Sequence, residues 1–325
     1  MDKSKQIDVS VVIPVYGSAS ILPQLVARLQ EVLEPAFGHS CYEAVLVHDC
    51  GPDNSWHVIE GLAKERPWLV GIDLRKNAGQ HNAIMAGLGV ARGRHIVTMD
   101  DDLQHDPADV SRIVDKLREG FDLCYVQFER RQHVLWKRAG SWFNDFVARR
   151  LLKKPKGLYL SPFRGMLDEV RDEVLRYEGP FVYVDGLLLQ STSSIATISA
   201  RHHSRSDGQS GYSLKKSVSL WMQMATSFSV VPLRFVSIAG ICASFIGFLL
   251  AIVVIVKKLS TPDLAVGWAS LIVAVLMMGG LQLLGLGVIG EYTGRVLLSL
   301  NRRPQYLIRR SVNVDARVSD DQVVS

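Results

Sequence analysis

Three consecutive aspartates, Asp100, Asp101 and Asp102, stop the apolar run Ile96–Met99. The run is uncharged and mostly β-branched, so it reads as a buried strand with the carboxylates at its end. Three unpaired carboxylates in a row repel one another and call for a cation. A hard divalent ion such as Mg2+ or Mn2+ takes oxygen ligands and keeps room for substrate phosphates. The alternative is an acidic turn, with Pro107 opening the next helix.

Other polar residues fall where strands end. The apolar stretch Val9–Val15 runs into Tyr16 through Pro14, and Ser18 and Ser20 can cap a helix over about Ile21–Leu33. A strand over Glu43–Val47 ends at His48-Asp49-Cys50-Gly51, before a helix from about Asn54 to Glu65. Trp68–Leu74 leads into Arg75-Lys76-Asn77-Ala78-Gly79-Gln80, followed by a helix over His81–Ala91. After the aspartates come a helix from Pro107 and a strand over Phe121–Val126, then a helical stretch at Leu167–Tyr177 and a strand at Ile195–Ala200. This alternation with short links predicts an open, mostly parallel α/β sheet with helices on both faces. Ligands of such sheets bind beyond the carboxyl ends of the strands, so Tyr16, Asp49, Arg75–Asn77 and Asp100–Asp102 should share one rim. No Gly-x-Gly-x-x-Gly or P-loop pattern follows the first strand, which disfavours a dinucleotide or P-loop cradle.

Two basic segments adjoin this unit. Val134–Lys154 is amphipathic and carries Lys137, Arg138, Arg149 and Arg150, which suits a packed helix or one lying on a membrane surface. Arg201–Tyr212 is polar and glycine-bearing. It is either a connector or a lid whose Arg205 reaches an anionic group, since guanidinium suits phosphate.

The chain has 325 residues, 48% hydrophobic and 21% charged, with a formal net charge of +5. Its apolar residues concentrate after Leu233. Ser213–Val231 suits a helix along a membrane surface, and Phe235–Val256 and Val266–Gly290 are uncharged runs long enough to cross a bilayer. Arginines before the first run and after the second place both ends in the cytoplasm. Glu291 and Arg295, four residues apart, are expected to pair, and Gly290-Glu-Tyr-Thr-Gly294 has a close-packing spacing. The opening residues do not read as a secretory signal. Four scattered cysteines argue against a disulfide framework and for a reducing compartment, and nine histidines show no metal-ligand spacing. The positive charge follows the membrane-flanking segments, which gives nucleic-acid binding little support.

Taken together, Val11-Val-Ile-Pro-Val-Tyr16, His48-Asp-Cys-Gly-Pro-Asp-Asn-Ser55, Lys76-Asn-Ala-Gly-Gln80, Asp100-Asp-Asp-Leu-Gln104 and Gly290-Glu-Tyr-Thr-Gly-Arg295 resemble the motifs of family 2 glycosyltransferases of the polyprenyl-phosphate type. The resemblance implies a GT-A catalytic domain over residues 1–212. It also implies an interface helix over 213–232, a two-helix transmembrane hairpin over 233–292 and a C-terminal tail over 293–325. A nucleotide diphosphate-sugar, with uridine the expected base, would be the donor and a polyprenyl phosphate the acceptor, at the cytoplasmic face of a bacterial inner membrane. A homo-oligomer, a tetramer in the family, is implied as well.

By the same resemblance Pro14, Tyr16, Asp49, Lys76, Asn77, Gln80, Asp100 and Asp101 line the donor site. Asp100, Asp102 and Gln104 would hold Mg2+ or Mn2+, with Asp102 and Arg205 catalytic. Arg205 and Arg138 would meet the acceptor phosphate. Pro162 stands where the family often has an aspartate before Phe-Arg, which leaves the general base unassigned. A glycan-extending synthase and an inactive membrane scaffold are the competing expectations.

Overall fold

The structure is a computed structural model that describes residues 7–128, 154–155, 157–200, 231–260, 267–301 and 304–314. Arg138, Arg205, nearly all of the basic segment at Val134–Lys154, the Arg201–Tyr212 stretch and the expected interface helix lie outside the described residues. The chain forms two compact units, residues 1–212 with 302–325, and residues 213–301.

The first unit is built on an eight-stranded sheet in the order β7-β5-β6-β4-β1-β2-β3-β8. Its strands are β1 (Val9–Val15), β2 (Tyr42–His48), β3 (Leu69–Leu74), β4 (His95–Thr98), β5 (Leu123–Phe128), β6 (Arg164–Leu167), β7 (Ile195–Ala200) and β8 (Ile308–Val312). β1 runs parallel to β2 and β4, and β2 parallel to β3. β6 is antiparallel to β4 and β5, while β5 and β7 are parallel. The first three strands are buried along their whole length, as strands covered on both faces must be.

The helices follow the apolar spacing. α1 (Leu22–Phe37) buries Leu22, Leu25, Val26, Leu29 and Leu33, a stripe at helical period. α2 (Ser55–Glu65), α3 (Gln80–Val90) and α4 (Asp109–Arg118) link successive strands. α3 lies so close to the sheet that a Cβ on Gly87 would stand 2.4 Å from Val12 Cγ1. α5 (Asp168–Leu175) and α6 (Val184–Ser191) follow β6.

Several sequence expectations change here. Ser18 and Ser20 do not cap α1. Its N-cap is Ile21 with no side-chain bond, because the Ser18 hydroxyl is engaged elsewhere. The helix also continues past Leu33 to Phe37 and stops at Gly38, whose φ of 86° suits glycine. Pro107 precedes α4 instead of opening it, and its carbonyl accepts the Val110 N–H. The tail at 293–325 is partly structural. Its residues Ile308–Val312 pair antiparallel with β3 and become an edge of the sheet. A strand of five residues with three arginine or serine side chains outward carries too little apolar alternation to be read from sequence.

The second unit holds α7 (Val231–Ser260) and α8 (Trp268–Leu300). The two meet at Gly285, where an added Cβ would lie 3.2 Å from Val236 Cγ1. At Gly290 and Gly294 a Cβ would meet no described atom within 4 Å, so the Gly290–Gly294 spacing does not form that contact among the described residues. Large apolar side chains such as Phe245, Phe248, Leu271 and Met277 are exposed. Among the described residues one stretch, Met277–Leu300, is long and apolar enough to cross a membrane, and Val236–Leu249 is a shorter apolar run. The qualifying stretch sits further along the chain than expected. It includes Glu291 and Arg295, which pair at 2.9 Å and so offset each other's charge.

Candidate active site

The strand order reverses between β1 and β4, since β1 leads outward to β2 and β3 while β4 returns to its other side. Such a switch point opens a crevice beyond the strand ends. Tyr16 stands at the end of β1, Asp49 at the end of β2, Arg75–Asn77 after β3 and Asp100–Asp102 after β4. Parallel pairing puts all four on one rim, as the sequence implied.

Each aspartate of the triplet is held by a different element. Gln80, the first residue of α3, donates Nε2 to Asp100 Oδ1 at 2.7 Å. Asp101 Oδ2 accepts the Tyr16 N–H at 3.2 Å and the Ser18 hydroxyl at 2.5 Å. Asp102 Oδ1 accepts the Gln104 N–H at 3.1 Å, closing a turn in which Leu103 has a φ of 57°. The Asp101 carboxylate thereby fastens the β1–α1 loop across the switch point. The second oxygens of Asp100 and Asp102 have no hydrogen-bond partner among the described residues.

The triplet rests on a buried aromatic and charged layer. His105 is stacked between Phe128 and Phe163, with centroids 5.4 and 4.9 Å away. Its Nδ1 accepts the Asp100 N–H at 3.1 Å. Beneath it, Arg164 of β6 is 1% exposed and pairs with Asp185 of α6, which also accepts the Tyr125 hydroxyl at 2.9 Å. Arg164 Nε and His81 Nδ1 are buried without a hydrogen-bond partner among the described residues. Burial holds His81 down to about 4, so it is neutral near pH 7.

Asp49 is buried, and both its oxygens accept backbone N–H groups, from Ala78 at 2.6 Å and Gly79 at 2.9 Å. Burial raises its carboxyl above the usual range, and those two bonds partly offset the rise. Asp53 joins the β1–α1 and β2–α2 loops by accepting from the Ala19 N–H at 2.9 Å and the Ser55 hydroxyl at 2.7 Å. Lys76 and Asn77 are exposed on the β3–α3 connection, and Tyr16 is exposed on the β1 side. Pro14 is buried near the end of β1, where it pairs in register with Val47.

Burial, with repulsion from Asp102 and Asp101, raises Asp100 to about 7. Arg164 and Gln80 pull the other way without cancelling it. The site thus concentrates negative charge that its own side chains do not neutralise. Two carboxylates with unengaged oxygens suit a hard divalent ion, which is commonly held by one or two carboxylates and completed by substrate phosphates. No group of three or more His, Cys, Asp or Glu side chains able to hold a metal occurs among the described residues. The ion's remaining ligands would therefore come from Gln104, water or substrate.

Sequence reasoning missed Ser18, Asp53, His105 and the Arg164–Asp185 pair as parts of this site. Each makes a polar contact across 5 to 83 positions of chain, and no local pattern encodes such a contact.

A mostly parallel α/β sheet with an antiparallel β6 insertion and an acidic turn at its switch point is a GT-A fold. The model of "Glycosyl transferase family 2" matches residues 10–175. Over 327 residues the chain is 31% identical to the undecaprenyl-phosphate 4-deoxy-4-formamido-L-arabinose transferase of Yersinia enterocolitica, covering 99% of each chain. It is 32% identical over 326 residues to the uncharacterized glycosyltransferase YkcC of Bacillus subtilis, covering 99% of this chain and all of that one. Glucosyl-3-phosphoglycerate synthase from Mycobacterium tuberculosis, solved with Mn2+, uridine-diphosphate-glucose and phosphoglyceric acid, is similar over 68% of this chain and 78% of that one. The TM-score there is 0.49 at 14% identity. The chain belongs to glycosyl transferase family 2.

Proposed function

We propose that this glycosyltransferase moves a sugar, with inversion, from a nucleotide diphosphate-sugar to undecaprenyl phosphate or a related polyprenyl phosphate. The observation that carries the reading is the pair of unengaged carboxylate oxygens on Asp100 and Asp102 at the switch point. Full-length similarity to a transferase named for an undecaprenyl-phosphate substrate supports the acceptor class.

The acceptor phosphate is anionic at neutral pH, so its oxygen attacks the anomeric carbon without a strong general base. This accords with Pro162 standing where the family often has an aspartate. The bond from that carbon to the nucleotide diphosphate breaks, and the diphosphate leaves with the electron pair. Asp100, Asp102 and Gln104 would hold Mg2+ or Mn2+, which when bound would neutralise the leaving diphosphate. Gln80 and His105 fix Asp100, and Asp101 keeps the Tyr16 loop against the donor. Asp49, by holding the Ala78–Gly79 turn, shapes the side where the nucleotide base would lie. Arg205, with Arg138, would meet the acceptor phosphate.

We assign α7 and α8 to two membrane crossings that keep the catalytic unit at the cytoplasmic face, with the acceptor's isoprenoid chain in the bilayer. Holding the lipid phosphate at that surface lowers the entropic cost of the encounter.

The test is a donor screen. Membranes containing the full chain, polyprenyl phosphate and Mn2+ are given one nucleotide-sugar at a time, and the lipid extract is read by mass spectrometry. One donor should yield a polyprenyl-phosphate sugar. Sugar found only on a water-soluble or polymeric product would contradict the acceptor assignment.

A further inference from the structure

β8 touches the rim from a side the sequence did not implicate. Asp73, near the end of β3, is 1% exposed. A carboxylate buried to that degree needs partners, and it has three. His48 Nδ1 lies 2.7 Å from Oδ1, Arg310 Nε donates to Oδ2 at 2.9 Å, and Arg309 Nη1 is 3.8 Å from Oδ2. The other ring nitrogen of His48 accepts the Gly51 N–H at 3.0 Å. Nε2 is therefore bare, and the ring hydrogen sits on Nδ1, pointing at Asp73.

The loop fixed in this way is tight. Cys50 has a φ of 50°, and a Cβ on Gly51 would stand 2.9 Å from the Gly17 nitrogen. The Arg310 guanidinium lies over the Trp56 ring at 5.0 Å, which orients it from α2. The segment around β8 also holds the opposite wall. Leu307 accepts the Arg75 N–H at 2.8 Å, and Arg309 donates to the Arg75 carbonyl at 2.9 Å. Arg75 begins the connection whose Ala78 and Gly79 N–H groups Asp49 accepts. The loops on both sides of Asp49 are thus tied to a strand more than 230 positions away.

We propose that Arg310 is a positioning residue for the donor nucleotide, acting through Asp73 and His48 on the Cys50–Gly51 turn. The inference rests on the proposed function, which places the nucleotide base beside Asp49. Without Arg310, Asp73 loses the guanidinium on Oδ2, its hold on His48 changes, and the Gly51 N–H loses a fixed acceptor.

The test is calorimetry of uridine diphosphate, and then guanosine diphosphate, with Mn2+ on the full chain in detergent. Arg310→Gln should weaken binding about tenfold. Asp73→Asn should weaken it similarly, and the double variant should lose no more than either single one, as members of one network do. Arg310→Lys should recover most of the loss. Arg176→Gln, which breaks an exposed pair with Glu173, should bind as the parent does. Nitrogen NMR of His48 should show hydrogen on Nδ1 in the parent and a loss of that preference in Arg310→Gln. Parent-like affinity in Arg310→Gln would overturn the proposal. So would a lowered melting midpoint with affinity and the His48 signature unchanged. Failure of the parent itself to bind either diphosphate would instead remove the functional reading on which the proposal stands.

Discussion

Ser18 donates its hydroxyl to Asp101 Oδ2 at 2.5 Å, joining the β1–α1 loop to the end of β4 across the switch point. The Tyr16 N–H reaches the same oxygen. Burial raises the Asp101 carboxyl above the usual range and these two donors oppose the rise; a hydrogen bond of this kind contributes about 1 kcal/mol net. Ser18→Ala should lower sugar transfer several-fold and stability by about 1 kcal/mol, read by initial rates and a urea midpoint. Lowered stability with an unchanged rate would reduce Ser18 to a fold-stabilising role.

Asp100 gives a pH dependence with a defined sign. Its carboxyl ionises near 3.8 without the fold and at about 7 within it. The folded chain therefore keeps a proton that the unfolded chain releases between those values. Stability contributed by that proton is full below about 4, declines as pH rises towards 7 and is gone above it. The metal-free parent should melt at lower temperature as pH rises through this window, and Asp100→Asn should flatten the slope. Bound protons compete with cations, so Mn2+ affinity should rise about tenfold per pH unit below 7 and then level. Affinity independent of pH from 5 to 7 would contradict the shift.

Arg164 and Asp185 form a buried pair under the triplet. Removing one partner strands the other charge, which costs about 3–5 kcal/mol. Asp185→Asn should destabilise the chain by that order in chemical denaturation. Replacing both, as in Arg164→Met with Asp185→Leu, should cost less than Asp185→Asn alone.

The strands and helices from Val9 to Val126 were legible because their apolar residues alternate with helical stripes over short links. Val9–Val15 and Ile195–Ala200 match the structure end for end. The rim was legible for the same reason, since parallel strands place their ends together. β6 was not, because Arg164-Gly165-Met166-Leu167 is four residues long and its burial is set by antiparallel partners. β8 was hidden by its exposed arginines. Ser18 was read as a helix cap, which its type suits, yet Asp101 won its hydroxyl from 83 positions away.

α3 carries Gln80 to Asp100, and its seat depends on Gly87. A Cβ there would meet Val12 Cγ1 at 2.4 Å and Val47 Cγ2 at 3.1 Å, both on the sheet. Gly87→Ala should push α3 outward and destabilise the chain by roughly 1–3 kcal/mol. It should also slow transfer, measured at saturating donor. A variant as stable and as fast as the parent would show that the helix can shift without disturbing Gln80.

In the proposed reaction Asp102 acts on the leaving diphosphate through the ion it would hold. The direct measurement is the initial rate at which radiolabelled sugar enters butanol-soluble lipid, compared between the parent and Asp102→Ala at saturating donor and Mn2+. Asp102→Ala should be slower by about a hundredfold or more with the fold intact. Turnover by Asp102→Ala at the parent's rate would contradict it.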